Sequence, residues 1–122
     1  MWNLNRLKIS SFERYGEGGL RIKNKKYKNP LFSIITVVYN GEQYLKKTIE
    51  SVIKQDFKNF EYIIIDGGST DNSINIIKKY EKKIDYWVSE KDKGIYDAFN
   101  KGLDLFSGEI VGFVNADDYL ML

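Results

Sequence analysis

Glu61–Tyr80 reads EYIIIDGGSTDNSINIIKKY, and the change of pattern inside it decides the fold. Glu61–Ile65 is short, apolar and β-branched, which predicts a strand covered on both faces. Asp66-Gly67-Gly68-Ser69-Thr70-Asp71 follows at once. Its glycines allow a tight turn with backbone close to a ligand, and Ser69 or Asp71 is a candidate N-cap. Ile74, Ile77 and Tyr80 then recur at helical spacing, so strand gives way to helix through Tyr80.

The same unit repeats on either side. Pro30, the only proline, biases Asn29 towards extended backbone and marks the entry to a first strand, Phe32–Tyr39 (FSIITVVY). Asn40-Gly41 closes that strand, and Glu42–Gln55 is an amphipathic helix with Leu45, Ile49, Val52 and Ile53 on one stripe. Downstream, Ile84–Ser89 is a third strand and Glu90–Gly94 a charged loop. A helix starts at Ile95, with Ile95, Phe99, Leu103 and Phe106 as its buried stripe, Tyr96 and Ala98 widening it, and Gly108 ending it. In Glu109–Leu120, EIVGFVNADDYL, the residues Ile110, Val111, Phe113 and Val114 read as a fourth buried strand that delivers Asn115, Asp117 and Asp118. Alternation of this kind predicts an α/β fold: a mostly parallel sheet with helices on both faces.

Composition limits the chemistry. The 122 residues hold neither cysteine nor histidine, so thiolate nucleophiles, imidazole bases and the usual zinc ligands are excluded. Acid, base or metal chemistry rests on Asp, Glu, Lys or Tyr. No apolar run approaches the roughly 18 residues of a membrane span, which makes the cytoplasm the expected location. Residues 1–29 carry Arg6, Lys8, Arg14, Arg21, Lys23, Lys25, Lys26 and Lys28 against Glu13 and Glu17, a balance of +6, whereas residues 30–122 are net −4. Two parts are expected: a loose, solvated basic leader over 1–29, able to touch an anionic membrane surface, and a folded domain over 30–122.

Three strand ends meet at one sheet edge: Tyr39-Asn40, Asp66-Gly67-Gly68 and Asn115–Asp118. In open α/β sheets ligands bind at the carboxyl ends of the strands. A carboxylate there can accept the N–H of a base or a ribose hydroxyl, and a cation on hard oxygen ligands can neutralise a diphosphate. Taken alone, Asp117-Asp118 reads more readily as a turn former or helix cap, whereas Asp66, with a strand before it and glycines behind it, reads as a ligand contact rather than a cap.

Four runs in order, SIITVVYNGEQYLKKTIESVIKQDF, EYIIIDGGSTDNS, EKDKGIYDAFNKGL and GEIVGFVNADD, resemble the inverting glycosyltransferases of family 2 with their GT-A fold, a Rossmann-like nucleotide-binding half. The likeness is strongest to members that build bacterial surface polysaccharides, and it covers Pro30–Leu122. It implies a nucleoside diphosphate sugar as donor, a Mn2+ or Mg2+ ion, and a glycan or lipid-linked acceptor rather than nucleic acid. By resemblance Thr36, Val38, Tyr39 and Asn40 hold the nucleotide, Asp66 meets the base and Gly67 lies beside it. Asp92, Lys93, Gly94 and Asn100 line the ribose and donor side. The Asp-X-Asp motif for metal and diphosphate falls on Asn115, Ala116 and Asp117, with Asp117 the principal metal ligand and Asn115 and Asp118 as helpers.

Two departures stand out: Asn115 replaces a common Asp, and Gly67 replaces a frequent second Asp. The family's acceptor half and catalytic base come later than Leu122, so no catalytic base is assigned, and the expectation is a truncated donor-binding part. The alternatives are a noncatalytic nucleotide-sugar-binding or interaction protein, whose open sheet edge would suit a homodimer, and a sugar kinase. IIIDGGST resembles a kinase phosphate loop, but the helical spacing after it speaks against a hairpin.

Overall fold

Phe32–Val38 and Phe60–Asp66 are apolar on both sides, and they form the centre of the sheet. A computed structural model describes residues 14–24, 30–55 and 59–115. In chain order the elements are β1 (Arg14–Gly18), α1 (Leu20–Asn24), β2 (Phe32–Val38), α2 (Glu42–Ile53), β3 (Phe60–Asp66), α3 (Ser73–Lys79), a 3-10 turn (Glu81–Lys83), β4 (Tyr86–Glu90), α4 (Ile95–Leu105) and β5 (Ile110–Phe113). The strand order is β1-β4-β3-β2-β5. Strands β4, β3, β2 and β5 run parallel, and β1 is antiparallel to β4.

Period-two alternation divides the core between two faces. Ile34, Val38, Tyr62, Ile64 and Trp87 pack under α2 and α3, which contribute Leu45, Ile49, Val52 and Ile77. Ile35, Val37, Ile63, Ile65, Tyr86 and Val88 face α4, which contributes Ala98 and Leu105. The α/β architecture expected from the alternation is therefore present, with element ends shifted by a residue or two. Strand order reverses between β2 and β5, and in open sheets that switch point is where a crevice forms.

Three expectations are corrected. Among the described residues β5 is not a buried strand: it pairs there with β2 alone, and Ile110 and Phe113 stay 50% and 37% exposed. α4 turns a different face inward, burying Ala98, Lys101, Gly102 and Leu105, whereas Ile95 and Leu103 are exposed and Tyr96, expected in the core, is 80% exposed. The cause is close packing: a Cβ at Gly102 would lie 3.0 Å from the side chain of Ile35, so the sheet approaches the helix at its smallest residue. This helix also ends at Leu105, before Gly108.

The third correction concerns the leader. Residues 14–24 are docked on the sheet rather than loose. Gly18 pairs with Trp87 and Glu17 with Val88, and the backbone N–H groups of Leu20 and Arg21 donate to Ile84 and Asp85. Arg21 is buried, donating to Glu61 and, at 2.9 Å, to the carbonyl of Leu105. Glu61 also accepts from Ser33 Oγ and from the Ser107 N–H, both at 2.5 Å. Burial works to raise the Glu61 pKa, but Arg21 and these hydrogen bonds outweigh it and hold the carboxyl below its ordinary value. Arg14 lies 3.4 Å from Glu90, whose carboxylate also meets Lys101 at 3.3 Å. Two leader cations are thus spent inside the protein. Arg6, Lys8, Lys25, Lys26 and Lys28 lie outside the described residues. No helix among the described residues is long and apolar enough to cross a membrane.

Candidate functional site

The loops after β2 and β3 are laced together by backbone N–H groups that have no partner within their own strands. The Gly67 N–H donates to the Val38 carbonyl at 2.9 Å. Asn40 adopts the left-handed conformation that Asn tolerates, φ 49°, and its side-chain oxygen accepts from the N–H groups of Thr70 and Asp71 at 2.8 and 3.2 Å. In return Ser69 Oγ accepts from the Asn40 N–H, and Asp71 accepts from the N–H groups of Glu42 and Ser73. Neither candidate is the cap of α3: Asn72 holds that position without a side-chain capping bond, Asp71 accepts from the N–H of Ser73, the first helical residue, and Ser69 serves the loop. Burial tends to raise the Asp71 pKa, and these hydrogen bonds outweigh it and hold the group below its ordinary value.

Asp66 stands at the centre of this lacing. It is fully buried, and its carboxylate accepts from the N–H groups of Gly68 and Ser69 at 3.1 and 2.9 Å and from the hydroxyls of Ser69 and Ser89 at 2.5 and 2.7 Å. Its visible work is to hold the turn after β3 against the end of β4.

Above this platform lies a cavity of about 810 Å³. Of the residues singled out from the sequence, Val38, Tyr39, Asn40, Gly67, Asp92, Gly94 and Asn115 line it. Tyr39 is 63% exposed there, and so is not a core aromatic. Asp92 leans against the bare backbone of Gly67, where a Cβ would fall 2.5 Å from its Oδ2. The absence of a side chain at position 67 is what admits this carboxylate.

Four expected residues are not brought to the cavity. Thr36 is buried on the α2 face, its Oγ1 2.7 Å from the hydroxyl of Tyr62, whose pKa burial pushes up. Asp66 lies beneath the lining. Lys93 and Asn100 are exposed elsewhere, and the cation on the rim is Lys91. Ala116, Asp117 and Asp118 lie outside the described residues. Among those described, no three acidic side chains converge as a metal site. Asn115 brings an oxygen donor to the cavity wall, and with no His or Cys in the chain any cation there meets oxygen ligands only, a donor set that fits Mn2+ or Mg2+. Gly68, in the expected turn, also lines the cavity, as do Ile95, expected in the core, and Tyr15 and Tyr44, to which sequence reading assigns no role. For Tyr44 there was a signal: it stands in the first turn of α2, just after the Asn40-Gly41 turn. For Tyr15 there was none, since β1 forms only through a partner some 70 residues away.

Comparison with known proteins bears on this geometry. The family model described as Glycosyl transferase family 2 matches residues 33–121. A teichuronic acid biosynthesis glycosyltransferase, TuaG of Bacillus subtilis, so named putatively, is 38% identical over 92 residues, covering 73% of this chain and 36% of its own. Among solved structures, S. aureus TarS in complex with UDP-GlcNAc aligns with TM-score 0.65 and 35% identity over 72% of this chain and 27% of its own. The mannosyltransferase PcManGT of Pyrobaculum calidifontis, in complex with GDP-Man and Mn2+, shares the fold at TM-score 0.67 and 24% identity over 73% of this chain and 28% of its own. The chain spans little more than a third of the length of curated relatives such as TuaG, for which the share is 36%.

Proposed function

The chain belongs to glycosyl transferase family 2, and on that premise we propose that the cavity at the strand ends holds the nucleoside diphosphate of a sugar donor used in polysaccharide biosynthesis. One observation carries the reading. A concave site of about 810 Å³ is built from the carboxyl ends of β2, β3 and β4 and from Asn115 beyond β5, beside the strand-order reversal. That is the size and place of a nucleotide-sized ligand in an open α/β sheet.

The chemistry follows from the donor. An acceptor hydroxyl attacks the anomeric carbon from the face opposite the diphosphate, the bond to the diphosphate oxygen breaks, and configuration inverts as a base takes the hydroxyl proton. A bound divalent ion supplies charge neutralisation at the diphosphate, and Asn115, Asp117 and Asp118 are the residues that would hold it. Tyr39 offers an aromatic face, Asp92 a carboxylate for hydroxyl or base N–H groups, and the Asn40 and Gly67 loops a rigid floor. Family membership favours this enzyme reading over a noncatalytic binding module, and a TarS structure with UDP-GlcNAc supports a nucleotide sugar as the ligand.

A thermal-shift panel of UDP and GDP sugars, each with Mn2+ or with EDTA, tests the proposal. A matching donor at about 100 times its Kd stabilises by roughly 2.7 kcal/mol, a rise of about 10 °C in the unfolding midpoint. The rise should shrink in EDTA, and Asp117→Ala should abolish the metal dependence. A flat response to every nucleotide sugar in Mn2+ removes the proposal.

A further inference from the structure

We propose that Tyr15, carried by β1 from outside the family-matched residues 33–121, supplies an aromatic wall of the nucleobase subsite, an assignment that rests on the donor reading above. Gly16 and Gly18 lie against Trp87, where Cβ atoms would fall 3.0 and 2.6 Å from the indole. Glu17 turns to the other face, the side of α4, where it accepts from the Tyr86 hydroxyl at 2.7 Å. The pairing with β4 shifts register between Arg14 and Gly16, so Tyr15 stands at an irregularity of the strand, and its contact with Gly68 rather than the alternation places the ring.

The ring is then positioned by its neighbours. Arg14, held by Glu17 and Glu90 at 3.2 and 3.4 Å, fixes the backbone at the start of β1. Gly68, with φ 89°, passes under the ring, and a Cβ there would meet Tyr15 Cε2 at 3.0 Å. Tyr15 thus rests its edge on the glycine turn that floors the cavity, and 63% of its surface is still exposed. Tyr39, also 63% exposed, stands at the end of β2, three strand spacings or roughly 14 Å of backbone away. The two rings do not cover one another, and both turn apolar surface to the same cavity. A flat, uncharged ring system with polar edges, which is the chemistry of a nucleobase, fits beside such a wall, whereas a diphosphate does not.

Calorimetry on the full chain with UDP and GDP in Mn2+ provides the test. Tyr15→Ala should weaken the bound nucleoside diphosphate about tenfold, the effect of one lost base–aromatic contact, with the unfolding midpoint unchanged. Tyr15→Trp should restore affinity and add a fluorophore quenched by the nucleoside diphosphate but not by inorganic pyrophosphate. If Tyr15→Ala does not fold, Tyr15→Leu, which keeps apolar bulk without an aromatic face, carries the same expectation. Unchanged affinity in the Ala or Leu variant, or no quenching in a Trp variant that still binds, overturns the assignment and leaves the donor reading intact. No binding of either nucleotide by the unsubstituted chain overturns both.

Discussion

Arg21→Ala should destabilise the fold by roughly 3–5 kcal/mol, because it leaves the Glu61 carboxylate buried without its cation. Arg21 and Glu61 are 9% and 1% exposed, so the carboxylate is left in a buried site without bulk solvation. Against a total stability of about 5–15 kcal/mol the loss is severe, and the unfolding midpoint should drop by more than about 10 °C. Its pH dependence has a definite sign. In the parent protein Glu61 titrates below its ordinary value, so its contribution is fully present above that ordinary range and is lost as pH falls through the lowered value. In the variant burial dominates and raises the carboxyl, so protonation relieves the strain. The gap between parent and variant should therefore narrow towards about pH 4. The double variant Arg21→Met with Glu61→Leu should recover much of the loss, since replacing both partners by apolar residues removes the uncompensated charge. Thermal melts of the three proteins across pH check this, and a parent-like midpoint for Arg21→Ala at pH 7 would show that residues 14–24 are not docked as described.

Asp66→Ala should lose stability and nucleotide binding together. The carboxylate accepts four hydrogen bonds while fully buried, and its removal strands the N–H groups of Gly68 and Ser69 and the hydroxyl of Ser89. Hydrogen bonds to a charged acceptor contribute about 1.5–3 kcal/mol each and overlap, so a loss on the order of 3 kcal/mol is expected, or roughly 10 °C in the midpoint. Asp66→Asn should fare little better, because its amide nitrogen would turn a donor towards donors. The expected role from the sequence was contact with the base, and that role predicts another outcome: weaker binding at an unchanged midpoint. Melting and calorimetry on the same two variants separate loop organiser from ligand contact.

These residues show what the sequence makes legible. The central βα units were readable because strand and helix periods are local and the switch between them, as at Asp66-Gly67-Gly68, is abrupt. The acid at position 66 stands out in the sequence, but a string of letters does not reveal which way a carboxylate turns. Thr36 and Tyr39 illustrate the same limit on one strand, where one goes into the core with Tyr62 and the other onto the cavity rim. On α4 an apolar stripe at the right spacing misled, because Gly102 and the stem of Lys101, not the largest side chains, set the buried face. Arg14–Gly18 was illegible for a deeper reason. RYGEG has two glycines and two charges, a poor strand by composition, and it is held by pairing with β4 and by the ion pair of Arg14 with the distant Glu90. Asn115 lines the cavity, and Asp117 and Asp118 lie outside the described residues.

The central claim is that the cavity over the Gly67-Gly68 turn is a nucleoside diphosphate site. At 14.3 kDa the chain suits amide NMR, and a titration with UDP or GDP in Mg2+ locates binding residue by residue. The account predicts saturable shifts at Tyr39, Asn40, Gly67, Gly68, Asp92 and Asn115, with the exposed positions of α2 such as Lys46 and Lys47 silent. Shifts confined to other surfaces, or none with any nucleoside diphosphate, would contradict it.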